Sequence, residues 1–91
     1  MAVSLFVQLT VKDFDTWKKD FDGAAQLMKD MGVIDSIVHC KLGDPNSVMI
    51  AQQVSESSVT EYLAVLEGSQ AQARRAEERI LTWDLWVGSS V

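Results

Sequence analysis

Five aliphatic side chains at every second position, Val3, Leu5, Val7, Leu9 and Val11, open the chain and alternate with Ser4, Phe6, Gln8 and Thr10. A period of two puts one set on each face of a β-strand, so this stretch commits the chain to a sheet with one purely aliphatic side. The other side mixes an aromatic ring with amide and hydroxyl groups, which suits an interface or a pocket better than a plain solvent face. The pattern then switches to the helical period. Phe14, Trp17, Phe21, Ala24, Met28 and Met31 recur every three or four residues and predict one helix from Asp13 to Met31. Asp13 and Asp15 stand at its positive end, and Gly32 follows as a left-handed cap would. Gly23 is expected to bend or loosen a turn of it.

Alternation returns from Val33 to Leu42, with Ile34, Ser36, Val38, Cys40 and Leu42 on one side and Val33, Asp35, Ile37, His39 and Lys41 on the other. Gly43-Asp44-Pro45-Asn46 has the chemistry of a turn, and Ser47 to Val54 is expected to return as a third strand, completing a hairpin. Ser58 and Glu61 have the spacing of a capping box ahead of a helix with the stripe Val59, Tyr62, Leu63 and Leu66. Gly68-Ser69 interrupts that helix. Gln70 to Arg79 is read as a second short one, with Arg74 and Glu78 one turn apart. Ile80 to Val87 then alternates Leu81, Trp83, Leu85 and Val87 against Ile80, Thr82, Asp84 and Trp86 as a fourth strand.

The order β-α-β-β-α-β predicts a ferredoxin-like α+β sandwich, one antiparallel sheet with its helices on one side. With the aliphatic face of the first strand under the helices, Ser4, Phe6, Gln8, Ile37, Met49, Thr82 and Trp86 fall on the open side. Each large apolar side chain buried is worth roughly 1.5–3 kcal/mol, so two such sheets are expected to pair face to face. Chain length points the same way. Its 91 residues fit a single domain over 1–91, and a monomer of this size buries only roughly two thirds of the surface its unfolded chain exposes.

Eight Lys and Arg against thirteen Asp and Glu leave a net charge of −5, which argues against nucleic acid or an anionic membrane as partner. A lone cysteine, Cys40, excludes an intrachain disulfide and a cysteine-rich metal site. The N-terminus lacks the pattern of a secretory signal and no long apolar run spans the chain, so a soluble cytoplasmic protein is expected.

Lys12-Asp13-Phe14-Asp15-Thr16-Trp17-Lys18, then Phe21-Asp22, Met31-Gly32-Val33, the hairpin Gly43-Asp44-Pro45-Asn46, and a Ser-capped helix before a last aromatic strand follow one another in a telling order. Over nearly its whole length the chain resembles the dimeric α+β barrel superfamily, in its antibiotic biosynthesis monooxygenase-like branch. The resemblance implies a homodimer whose two sheets form a barrel, with a ligand pocket in each subunit between sheet and helices. It implies less about chemistry. Members include cofactor-independent monooxygenases acting on polycyclic phenols, haem-degrading enzymes, isomerases, cyclases and chains of no known activity. Haem degradation among these relatives depends on an Asn-Trp-His set with the histidine on the second helix. That helix has no histidine here, so haem is disfavoured and no cofactor is expected.

His39 is the one histidine and the one side chain whose ordinary pKa lies near neutrality, which makes it the candidate general base. Asp35, four residues earlier on the same strand face, is about 13 Å away by strand rise, so a partner carboxylate would be Asp84 or one from a second copy. The simpler reading is a histidine packed at the interface or lying on the surface. Trp17, Tyr62 and Trp83 would wall a pocket for a flat organic molecule, and they suit an ordinary core as well. Gln52 shares a strand face with Val48, Ile50 and Val54, where a buried amide needs a partner that a ligand can supply. Gln8 or Gln52 would then orient the ligand's oxygens.

Cys40 is expected as a small buried residue, and with His39 pointing to the opposite face the two do not make a metal site. No nucleophile elbow or glycine-rich phosphate loop supports a hydrolase or a nucleotide enzyme. The mixed-sign run Arg74 to Arg79 reads as a solvated face. Together these readings predict a homodimer that binds a small apolar or aromatic molecule. The implied reaction is cofactor-independent oxygenation of a phenol or enol. The alternatives are a non-catalytic dimeric module and an isomerase or cyclase using the same pocket.

Overall fold

The computed structural model describes residues 2–77 and 80–89. Its elements run β1 (Ala2–Val11), α1 (Phe14–Gly23), α2 (Ala25–Asp30), β2 (Val33–Lys41), β3 (Asp44–Ser55), α3 (Val59–Glu67), α4 (Ser69–Glu77) and β4 (Ile80–Ser89). The strands form one antiparallel sheet in the order β2-β3-β1-β4, the ferredoxin-like arrangement. Alternation along β1 does what it predicts. Leu5, Val7, Leu9 and Val11 are buried under the helices, where they meet Val48, Ile50 and Val54 of β3 together with Trp17 and Tyr62.

The long first helix is two helices, separated at Ala24 directly after Gly23, where the backbone leaves helical geometry (φ −92°, ψ 2°). Asp13 lies outside α1 as its N-cap, its carboxylate accepting from the Thr16 amide and the Thr16 hydroxyl. Asn46 of the hairpin secures the same end: its Oδ1 accepts from the Phe14 amide at 3.1 Å and its Nδ2 donates to the Lys12 carbonyl at 3.4 Å. Gly32 does end the helical segment in the left-handed region, with φ 98°. The expected capping box is not formed. Ser58 is the N-cap of α3, but its side chain makes no capping hydrogen bond. The break at Gly68 is present, with α4 beginning at Ser69; Glu78 and Arg79 lie outside the described residues.

Three irregularities shift the expected strand faces. Val33 pairs with Val54 and Asp35 with Gln53, so Ile34 is an extra residue; the bulge turns Val33 into the core and leaves Ile34 exposed. In β4, Thr82 pairs with Thr10 and Ile80 with Val11, which skips Leu81 and packs Ile80 rather than Leu81 against the core. The hairpin turns at Leu42-Gly43, two residues earlier than the Pro45 chemistry suggests, with Gly43 at φ 84°. Lys41 pairs with Asp44 and Cys40 with Val48, so Pro45, Asn46 and Ser47 bulge from the β2 pairing. A proline is tolerated there because no ladder bond is asked of its nitrogen. Cys40 is exposed, not buried, because it lies on the edge strand near this hairpin.

Candidate functional site in the sheet–helix cleft

The helices do not close completely over the sheet. A cleft of about 660 Å³ remains between them, within the range of small-molecule sites. Val7, Leu9 and Ile50 form its floor, Trp17, Phe21 and Met28 one wall, and Leu66, Arg75 and Trp83 the other. The periodic stripe explains the first wall: Phe14, Trp17 and Phe21 are spaced to stack along one helix face, and the Trp17 and Phe21 rings lie 5.1 Å apart.

One polar cluster is buried in this apolar lining. The Tyr62 hydroxyl donates to Gln52 Oε1 at 2.9 Å, and Gln52 Nε2 faces Ser36 Oγ at 3.3 Å and Met28 Sδ at 3.4 Å. Gln52 and Tyr62 are only 3% and 4% exposed. The chain itself thus supplies the partner that Gln52 requires, and among the described residues no buried side-chain nitrogen or oxygen is left unpaired. Burial pushes the Tyr62 phenol above the ordinary tyrosine value, an effect the Gln52 hydrogen bond partly opposes. Tyr62 is therefore a neutral donor to Gln52, with an oxygen lone pair left to accept from a second group.

Tyr62→Phe removes the donor and leaves the Gln52 carbonyl buried without its partner, a change expected to cost about 1–3 kcal/mol in urea denaturation. Tyr62 is the chain's one tyrosine, so its ionisation can be followed by ultraviolet absorbance. The expected midpoint lies above 10.0. A raised pKa adds stability that is fully present below the unfolded value and is lost as pH rises through the folded one. Wild-type stability should therefore fall through that alkaline window, and Tyr62→Phe should lack this component.

The candidate residues separate into two groups. Trp17, Gln52, Tyr62 and Trp83 all line the cleft. Gln8 and His39 lie on the other face of the sheet, in a row that runs His39, Met49, Gln8, Asp84 across β2, β3, β1 and β4. Three strand spacings, about 14 Å, separate His39 from Asp84, so the two do not pair within one chain. Arg75 is a lining residue that sequence reasoning missed. Rather than standing on a solvated face, its guanidinium lies 4.0 Å over the Trp83 ring and donates to the Leu66 carbonyl at 2.8 Å. No spacing in the run from Arg74 to Arg79 signals that inward turn.

The open face carries Phe6, Ile37, Ala51 and Trp86 in one cross-strand row, with Met49 beside it. Ile37, Met49 and Trp86 are 50%, 38% and 62% exposed. The Phe6 and Trp86 rings meet at 5.4 Å. On either side of this strip, polar groups bond within the sheet, Gln53 to Ser4 at 2.9 Å and Thr82 to Thr10 at 2.8 Å. Among the described residues no helix is long and apolar enough to cross a membrane.

No protein-family model matches the sequence, and no curated protein matches it either. Solved structures do match in shape. A Deinococcus radiodurans protein named as a candidate antibiotic biosynthesis monooxygenase superimposes with TM-score 0.76 at 14% identity, covering 98% of this chain and 92% of its own. A dimeric ferredoxin-like protein from an uncultured marine organism gives 0.65 at 7% identity, covering 99% and 88%. An ethyl tert-butyl ether d (EthD) family protein from Bacillus halodurans gives 0.63 at 17% identity, covering both chains fully. Strand order, helix placement and these likenesses agree, and the chain has the ferredoxin-like α+β fold of the antibiotic biosynthesis monooxygenase-like and dimeric ferredoxin-like proteins.

Proposed function

We propose that this chain is a homodimer that binds one flat, largely apolar molecule in the sheet–helix cleft of each subunit. The observation that carries this reading is the cleft itself: about 660 Å³, walled by Trp17, Phe21 and Trp83, with the Tyr62–Gln52 pair as a buried polar anchor. A ligand hydroxyl can donate to the Tyr62 oxygen, whose own proton is held by Gln52, so the anchor favours a phenol or an enol over a plain hydrocarbon. The open face supplies the dimer contact. A neighbour in shape is described as dimeric, and the Phe6, Ile37, Met49 and Trp86 strip gives two sheets an apolar surface to share.

The enzymatic form of this reading is cofactor-independent oxygenation of the bound phenol or enol; the Deinococcus neighbour is named only as a candidate antibiotic biosynthesis monooxygenase. An isomerase or cyclase in the same cleft would differ by turning over without O2. His39 and Gln8, on the far side of the sheet, belong in this reading to the dimer contact. His39→Ala should accordingly leave ligand affinity in the cleft unchanged.

Calorimetric titration with 2-naphthol tests the site directly. Saturable binding, one ligand per chain, that is clearly weakened by Ala71→Phe is the expected result, because Ala71 lines the cleft and a phenyl ring there takes up part of the ligand's space. Equal binding by both proteins, or none by the wild type, overturns the proposed site.

A further inference from the structure

Arg75 places a permanent positive charge, half-buried, in a largely apolar cleft. Half of that placement is fixed by the chain: one face of the guanidinium covers the Trp83 ring at 4.0 Å, and Nη1 donates to the Leu66 carbonyl. Stacking of this kind holds the plane of the guanidinium but leaves most of its edge N–H groups unused, since arginine carries five donors. Among the described residues no carboxylate is bonded to Arg75. The two other charged residues of the lining, Asp20 and Arg74, are exposed, whereas Arg75 is half-buried. A charge in a partly desolvated apolar wall acts more strongly on a ligand than one at an exposed rim.

From this placement we infer that the cleft selects an aromatic acid: a flat ring system carrying a carboxylate, with the ring against Trp17 and Trp83 and the carboxylate on the free edge of Arg75. The inference rests on the cleft being the ligand site. It adds the charge of the ligand, which the apolar walls alone do not specify. Arg75 is suited to this task because a planar guanidinium can meet both carboxylate oxygens at once, which lysine cannot do. The protein as a whole is acidic, at −5, so its net field does not attract an anion. Selection for an acid therefore has to be written into the site itself.

The test compares 2-naphthoate with methyl 2-naphthoate and 2-naphthol by calorimetry on wild type, Arg75→Gln and Arg75→Lys. For wild type, naphthoate is expected to bind at least about tenfold more tightly than its ester, the scale of one charge-assisted hydrogen bond. Arg75→Gln should abolish that preference while retaining 2-naphthol binding, and Arg75→Lys should restore it only in part. The preference should also shrink with added salt. Equal affinity of wild type for acid and ester, with 2-naphthol still bound, overturns the inference and leaves the cleft site standing. A proportional loss of all three ligands in Arg75→Gln also overturns it, because Arg75 would then only hold Trp83 in place. Failure of every probe to bind wild type overturns the cleft reading and this inference together.

Discussion

Gly32→Ala is expected to destabilise the protein by about 2–5 kcal/mol, enough to lower its thermal midpoint sharply or leave it unfolded. Two effects add. Gly32 sits at φ 98°, where an L-side chain is strained, and a β-carbon there would lie 2.6 Å from Ser58 Oγ and closer still to Ser58 Cβ. Ser58 has little room to yield, because its carbonyl accepts from the Tyr62 amide at the start of α3 and its amide donates to the Ser55 carbonyl. The Gly32 carbonyl meanwhile accepts from the Ser55 amide at 2.9 Å, so the junction cannot simply rotate away. Gly43→Ala provides the internal comparison. Its φ is 84° but nothing lies within 4 Å of the added carbon, so strain alone remains, about 1–2 kcal/mol. Differential scanning calorimetry of the two variants should show the much larger loss at Gly32.

Ile37→Asp is expected to convert the proposed dimer to monomers while leaving each subunit folded. Ile37 is half exposed on an edge strand and faces the open side of the sheet, so a single subunit keeps its carboxylate in water at little cost. Face-to-face pairing would bury that charge within the apolar strip that also carries Phe6, Met49 and Trp86. By two-fold symmetry it would do so twice, and an unpaired buried carboxylate costs several kcal/mol. Sedimentation velocity should show the mass halved, and far-ultraviolet circular dichroism should be unchanged. Retention of the dimer would place the contact elsewhere.

Much of this architecture was written in local patterns. The alternation of Val3 to Val11 set the buried face of β1, and the stripe from Phe14 to Met31 set the helix wall of the cleft. Alternation joined His39 to Ile37 on one face, yet the base was expected in one pocket with Trp17 and Tyr62; the structure puts the thickness of the sheet between them. What was not legible is what depends on pairing between distant segments. The bulge at Ile34 is fixed by the register of Val33 on Val54, and the skip at Leu81 by that of Ile80 on Val11. Neither leaves a mark in its own strand. Asn46 reads as a turn residue, yet its amide serves the start of α1 more than thirty residues away.

At the site, Gln52 was marked by its position among Val48, Ile50 and Val54, but its partner Tyr62 could be assigned only once α3 was docked on the sheet. Arg75 left no signal because charged residues on a short polar helix ordinarily face water. Its inward turn follows from the position of Trp83, which belongs to another element.

In the proposed arrangement the two faces of one sheet divide the labour, with a second copy on one and a ligand on the other. Sedimentation equilibrium of the wild-type chain at micromolar concentration tests that division most directly. A single species of twice the 10.1 kDa chain mass is the predicted result. A stable species at the mass of one chain, with the Phe6 and Trp86 face left in water, would contradict it.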